Sequence, residues 1–190
     1  DPDHAQSPNQ CVIPVRWPIP PMLLSELLHE LAPLQVRGEV HRQVSAVWHD
    51  SRRVREDDIF VAIRGAQVDG RQFVPNLHAA AVIADGPVQA RDDVTVIEVA
   101  DCRQALARTA AALAGHPARQ LPVVGVTGTN GKTTTTWLVE AAARAVGVPL
   151  GVLGTTGHRI AGRKVNANHT TPESPVVQGL IAQAHSEGCA

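Results

Sequence analysis

Tyrosine is absent from the sequence, phenylalanine occurs twice and methionine once. With aromatics at 3%, any core must be built from Val, Leu, Ile and Ala. An excess of either charge is lacking too: 17 Lys and Arg stand against 18 Asp and Glu, a formal net charge of -1. That balance excludes a bulk positive field, so no nucleic acid is expected as the main partner. No apolar run approaches the ~20 residues that a membrane helix needs. Residues 11–24 are too broken by proline for a signal peptide. The chain is therefore expected to be cytoplasmic, with no membrane insertion. Three cysteines, Cys11, Cys102 and Cys189, show no CxxC spacing, which speaks for reduced thiols over a disulfide scaffold or zinc knuckle.

What is present is globular: 190 residues, 44% hydrophobic and 18% charged. Residues 1–21 are proline-rich and aperiodic and read as a flexible leader. Leu23, Leu24, Leu27, Leu28 and Leu31 recur at helical spacing up to Pro33. The β-branched runs Val44–His49 and Ile59–Ile63 predict strands, Gly65–Gly70 a loop and Phe73–Ala80 a helix. Val82–Ala84 and Val94–Val99 predict short strands, and Ala-rich Cys102–Leu113 a helix ending at Gly115. Residues 116–120 look like a linker, giving domains at 22–117 and 118–190. In the second, Pro122–Thr127 predicts a strand buried on both faces of a parallel sheet. Thr133–Val146 then predicts a helix with Trp137 and Leu138 in the core, and Leu150–Leu153 a second buried strand. The order is that of a βαβ unit. A last helix is expected over Ser174–Ser186, with Pro175 in its first turn.

The turn between that first strand and helix reads Gly125-Val126-Thr127-Gly128-Thr129-Asn130-Gly131-Lys132-Thr133. Glycines let successive N–H groups curl round one concavity, and the following helix aims its positive end there. A lysine in this place reaches terminal phosphates and a hydroxyl can ligate Mg²⁺. The strict phosphate-loop pattern has glycine where Val126 stands. The dinucleotide fingerprint GxGxxG is missing, which argues against a nicotinamide enzyme.

Gly128-Thr129-Asn130-Gly131-Lys132-Thr133-Thr134 resembles the ATP loop of the Mur ligases, whose loop also departs from glycine at the Val126 place. Three further segments resemble the branch of that family that adds the third amino acid of the peptidoglycan precursor. They are Asp50-Ser51-Arg52 with Asp58–Ala62, Gly65–Gly70 with Phe73, and Gly154-Thr155-Thr156 followed by Thr170-Thr171-Pro172-Glu173. The resemblance implies an α/β chain: a small mixed N-terminal UDP-sugar-binding domain, then the start of a P-loop, parallel-sheet ATPase domain. It implies an ATP-dependent amide ligase, with ATP and Mg²⁺ as cofactors. The implied substrates are UDP-N-acetylmuramoyl-L-alanyl-D-glutamate and a diamino acid, meso-diaminopimelate or L-lysine, joined through an acyl phosphate. A monomer is expected. Implied site residues are Lys132 for catalysis and Gly128, Thr129, Asn130, Gly131, Lys132, Thr133 and Thr134 for ATP, with Thr133 on the metal. For the UDP-muramoyl-dipeptide they are His49, Ser51, Ala66, Gln67, Val68, His169, Thr170 and Thr171.

Departures from the family pattern are Glu56-Asp57-Asp58 in place of Pro-Gly-Asp, a Phe73–Val82 segment about two residues short, and His169 where Asn or Leu is common. The family's later acidic, histidine and lysine ligands have no counterpart here, so the chain reads as a fragment expected to lack turnover alone. The alternatives are a truncated, non-catalytic UDP-sugar/ATP-binding module, or a sister Mur ligase. Contiguous His49-Asp50-Ser51 cannot form a catalytic relay, since strand neighbours point to opposite faces. His29, His41, His78, His116 and His158 read as solvated or singly packed, and His185 with Cys189 as an idle pair. Arg52, Arg53 and Arg55 read either as a solvated face or, for Arg52, as a brace of the Ser51 turn. Thr135 and Thr136 are expected to face neighbouring strands.

Overall fold

The computed structural model describes residues 11–12, 21–166 and 172–190, which fall into two compact units: Arg16–Gly115, and His116–Ala190 with the N-terminal segment. Most of the expected leader lies outside the described residues. At Cys11–Val12 (β1), however, the chain is a strand and not a free tail, because it pairs in parallel with Val165–Asn166.

The Arg16–Gly115 unit is a sheet covered on both faces. Met22–Leu23 (β2) leads into helix α1, Leu24–Leu31, followed by β3, Gln35–Arg37. The apolar run at Val44–His49 is not one strand: Ser45 divides it into β4, Gln43–Val44, and β5, Ala46–Trp48. Ser45 N–H donates to Asp57 O, and the two halves serve different sheets, β4 pairing with β2 and β5 with β6. Then come β6, Asp58–Val61; β7, Ala81–Ala84; β8, Thr95–Glu98; and α2, Cys102–Leu113. The main sheet runs β3-β8-β7-β6-β5, parallel throughout except for edge strand β3.

Alternation along each strand divides the core in two. Val47, Ile59, Val61, Ala81, Ile83 and Ile97 pack under α1 and α2, while Phe60, Ala62, Val82 and Ala84 pack with Val74 and Leu77 on the other face. The helix expected over Phe73–Ala80 is instead a 3-10 turn, Gly70–Asn76. Pro75 has no N–H to donate to an α-helical ladder, and the chain is extended from Leu77 onward. Buried Asp58 accepts from the Trp48 indole at 3.2 Å and from Arg55 N–H at 3.0 Å, which satisfies a carboxylate at the mouth of the unusual Glu56-Asp57 turn.

In the second unit, α3 spans Lys132–Ala145, β9 Gly151–Val152, β10 His158–Ile160, β11 Arg163–Asn166 and α4 Ser174–Ser186. β9, β10 and β11 are antiparallel neighbours, with β1 added in parallel on β11. Leu180, Ala184 and Cys189 pack on Ile160 and Val165. The expected βαβ unit is not formed. Pro122–Thr127 is irregular, and no strand pairs with it among the described residues. Its side chains are open to solvent, Val124 by 84%. A doubly buried strand needs neighbours on both sides, and among the described residues the only partner of β9 is antiparallel β10. For the same reason Trp137 and Leu138 are not core: both are exposed on a helix that buries only Glu140.

Candidate functional site

The glycine-rich turn adopts the conformation its composition requires. Gly128 (φ 137°) and Gly131 (φ 82°) occupy the left-handed half of backbone space, where a side chain is costly. Gly131 caps α3, and its carbonyl accepts from Thr135 N–H at 2.8 Å. The Lys132 ammonium turns back into the curl and donates to the carbonyls of Gly128 and, at 3.2 Å, Thr129.

Lys132 and Thr133 line a cavity of about 410 Å³. Thr136 and Val139 continue that wall along α3, and Val124, Val126 and the segment Leu150–Thr156 form the others. The structure thus brings the Gly154-Thr155-Thr156 segment to the loop lysine. Thr136, expected to face neighbouring strands, is on the cavity wall, and its hydroxyl donates to Thr133 O at 2.8 Å. The i,i+3 spacing of Thr133 and Thr136 on a helix was the available signal. Asn130 and Thr134 are exposed and off this wall. His169, Thr170 and Thr171 lie outside the described residues. Among the described residues no group of three His, Cys, Asp or Glu could hold a metal, and the side-chain oxygens on the α3 wall are the hydroxyls of Thr133 and Thr136.

The Arg16–Gly115 unit arranges its expected residues along one sheet edge. His49 and Ser51 follow the carboxyl end of β5, and Ala66, Gln67 and Val68 follow that of neighbouring, parallel β6. Open parallel sheets bind ligands at this edge. All five are at least partly exposed. Each loop is held by an Asp-x-Arg turn. Asp50 accepts from Arg52 N–H at 3.1 Å and pairs with its guanidinium at 2.8 and 2.9 Å, which fits the bracing role for Arg52. Asp69 does the same with Arg71. These side-chain hydrogen bonds hold both carboxyls down at about 2. Arg53 is not simply solvated: its guanidinium lies 3.8 Å over Trp48. The Gly65–Gly70 loop is closed by Gly65 N–H to Val68 O and Gly70 N–H to Ile63 O, both 2.9 Å. A Cβ at Gly70 would sit 2.8 Å from Ile63 O, so the loop is built around that glycine.

Residues 43–114 match the model described as Mur ligase family, catalytic domain, and residues 126–190 match the Mur ligase middle domain. Among curated relatives, the UDP-N-acetylmuramoyl-L-alanyl-D-glutamate--2,6-diaminopimelate ligase of Geobacter sulfurreducens is 41% identical over 170 residues, 88% of this chain and 33% of its own. The UDP-N-acetylmuramyl-tripeptide synthetase of Deinococcus radiodurans is 42% identical over 177 residues, 88% of this chain and 36% of its own. The chain therefore spans about a third of the length of the curated relatives it matches. Solved structures share the fold. A UDP-N-acetylmuramoyl-L-alanyl-D-glutamate--2,6-diaminopimelate ligase matches with TM-score 0.68 at 22% identity, over 89% of this chain and 34% of that one. MurF from Acinetobacter baumannii matches with TM-score 0.59 at 22% identity, over 87% and 33%. With two Mur ligase domain models matched in succession and relatives above 40% identity along most of its length, the chain belongs to the Mur ligase family.

Proposed function

We propose that this chain is the nucleotide-handling part of an ATP-dependent ligase that adds a diamino acid to UDP-N-acetylmuramoyl-L-alanyl-D-glutamate. The observation that carries the reading is the meeting of Lys132, Thr133 and Gly154–Thr156 around one cavity at the start of α3. The diamino acid named for several relatives is 2,6-diaminopimelate.

In this reading the loop amides and the Lys132 ammonium offset charge on the terminal phosphates of ATP. The Thr133 hydroxyl is the chain's ligand to Mg²⁺, a hard cation suited to oxygen donors. A metal held there would supply positive charge against the phosphate oxygens. Phosphoryl transfer asks for alignment more than for covalent help from the protein. The γ-phosphoryl passes to a carboxylate oxygen of the D-glutamyl residue, leaving ADP. Attack by the incoming amine on the acyl phosphate then forms the amide and releases phosphate. We assign the uridine-nucleotide end of the substrate to the edge formed by His49, Ser51 and Ala66–Val68, where backbone groups and short polar side chains offer donors without burying charge.

The test is calorimetric titration with Mg·ATP. The native chain should bind, and Lys132→Ala should lose at least tenfold in affinity; unchanged affinity rejects the loop assignment. In a thermal-shift experiment, UDP-N-acetylmuramoyl-L-alanyl-D-glutamate should protect the native chain, and Ser51→Ala with Gln67→Ala should reduce the shift. Protection that survives both substitutions would move the sugar-nucleotide site elsewhere.

A further inference from the structure

We infer that the buried Glu140–Arg159 pair, backed by Trp137, is a clasp that fixes the spacing between the two walls of the phosphate-loop cavity and so sets nucleotide affinity from a distance. The inference rests on the nucleotide reading proposed above.

One wall of the cavity is α3, through Lys132, Thr133, Thr136 and Val139; another is the segment Leu150–Thr156. Glu140 lies on the same helical stripe as Thr133 and Thr136, about 10 Å further along the axis. It is 4% exposed and accepts from Arg159 Nε at 2.8 Å; Arg159 is itself 5% exposed. Arg159 sits in β10 directly across from Val152 of β9, the strand that runs into Gly154–Thr156. An ion pair therefore ties the helix bearing the lysine to β10, and through the β10–β9 pairing to the segment bearing the opposite threonines. The Trp137 ring, 4.0 Å from the Arg159 guanidinium carbon, fixes the plane of that group from the α3 side.

The pair is not arranged for greatest stability. Glu140 Oε1 and Arg159 Nη2 have no hydrogen-bond partner although both are buried, and the nearest further cation, Arg144, lies 3.9 Å from Oε1. Buried pairs left so incompletely satisfied are often matched or bettered by apolar side chains of the same size. Their distinctive property is direction: one donor and one acceptor meet in one geometry, whereas apolar groups slide. Behind a cavity whose walls belong to separate elements, that property translates into a fixed gap.

The decisive variant is the double substitution Glu140→Leu with Arg159→Met in the 190-residue chain. Its melting temperature should stay within a few degrees of native. Its affinity for Mg·ATP should fall about tenfold, and the backbone amide resonances of Lys132–Thr136 and Gly154–Thr156 should shift together while those of α4 stay in place. Trp137→Leu, at an exposed position that keeps the pair, should weaken binding two- to fivefold and shift the same resonances, which keeps the test open if the double variant does not fold. A well-folded variant with native affinity and unmoved resonances in both segments overturns the clasp. Should the native chain bind no Mg·ATP, or Lys132→Ala bind as well as native, the nucleotide reading fails alone. The clasp is then judged by the resonances.

Discussion

His158 shows at the scale of one residue how the fold couples to pH. It is buried, neither ring nitrogen has a hydrogen-bond partner, and burial lowers its pKa below the ordinary 6.5. The unfolded chain takes up a proton near 6.5 that the folded chain holds off. Stability is thus complete above that pH and declines as pH falls below it. Asp50 and Asp69, held at about 2, act in a separate window: their contribution is present above the ordinary carboxylate range and fades only toward pH 2. Denaturant unfolding of the native chain should accordingly show lower stability at pH 5.5 than at 7.5, and His158→Leu should flatten that difference. Equal slopes in both proteins would show that another group governs this window. Nothing in the sequence marked His158 as buried, because a single histidine in a short polar-looking strand carries no periodic signal. The place of Lys132 beside the glycine-rich turn, by contrast, could be read directly, since it follows from neighbours in the chain.

Among elements, those specified by local spacing were readable and those specified by distant partners were not. α2 and α4 run where helical periodicity and capping put them, Asp101 taking up the N–H groups of Arg103 and Gln104 at 2.8 and 3.0 Å. The β10–β11 hairpin escaped notice because its turn is disguised. Ala161 and Gly162 both take positive φ, 48° and 79°, in the two-residue connection for which Asn-Gly is the usual signal. An alanine in left-handed conformation carries a penalty of ~1 kcal/mol that asparagine largely avoids. Ala161→Asn should therefore stabilise this unit by up to ~1 kcal/mol, raising its unfolding midpoint in urea; a lower midpoint would refute the turn assignment. The Gly70–Asn76 turn erred the other way. Helical spacing from Phe73 suggested an α-helix, and Pro75 together with inward-facing Val74 and Leu77 imposed a tighter path.

For the molecule as a whole, strands β5 to β8 of the Arg16–Gly115 unit could be read from their apolar runs because their partners lie within that unit, while short edge strand β3 carried no such run. Pro122–Thr127 shows the converse: its composition suits a central strand, yet no described strand lies beside it, and Val123, Val124 and Val126 face solvent with Leu138 and Val139. Exposed apolar surface of this kind promotes association. Val124→Lys should lower the binding of a hydrophobic dye and concentration-dependent light scattering without reducing the melting temperature; an unchanged dye signal would mean that other surface dominates. The same segment bears on how the 190-residue chain meets a protease. Chaperones and proteases ordinarily wait for a protein to open before they find such a stretch. In the 190-residue chain it is exposed while both units are folded, so a protease added to the purified chain reaches it without waiting for either unit to open, and stabilising the rest of the fold would not slow that cut.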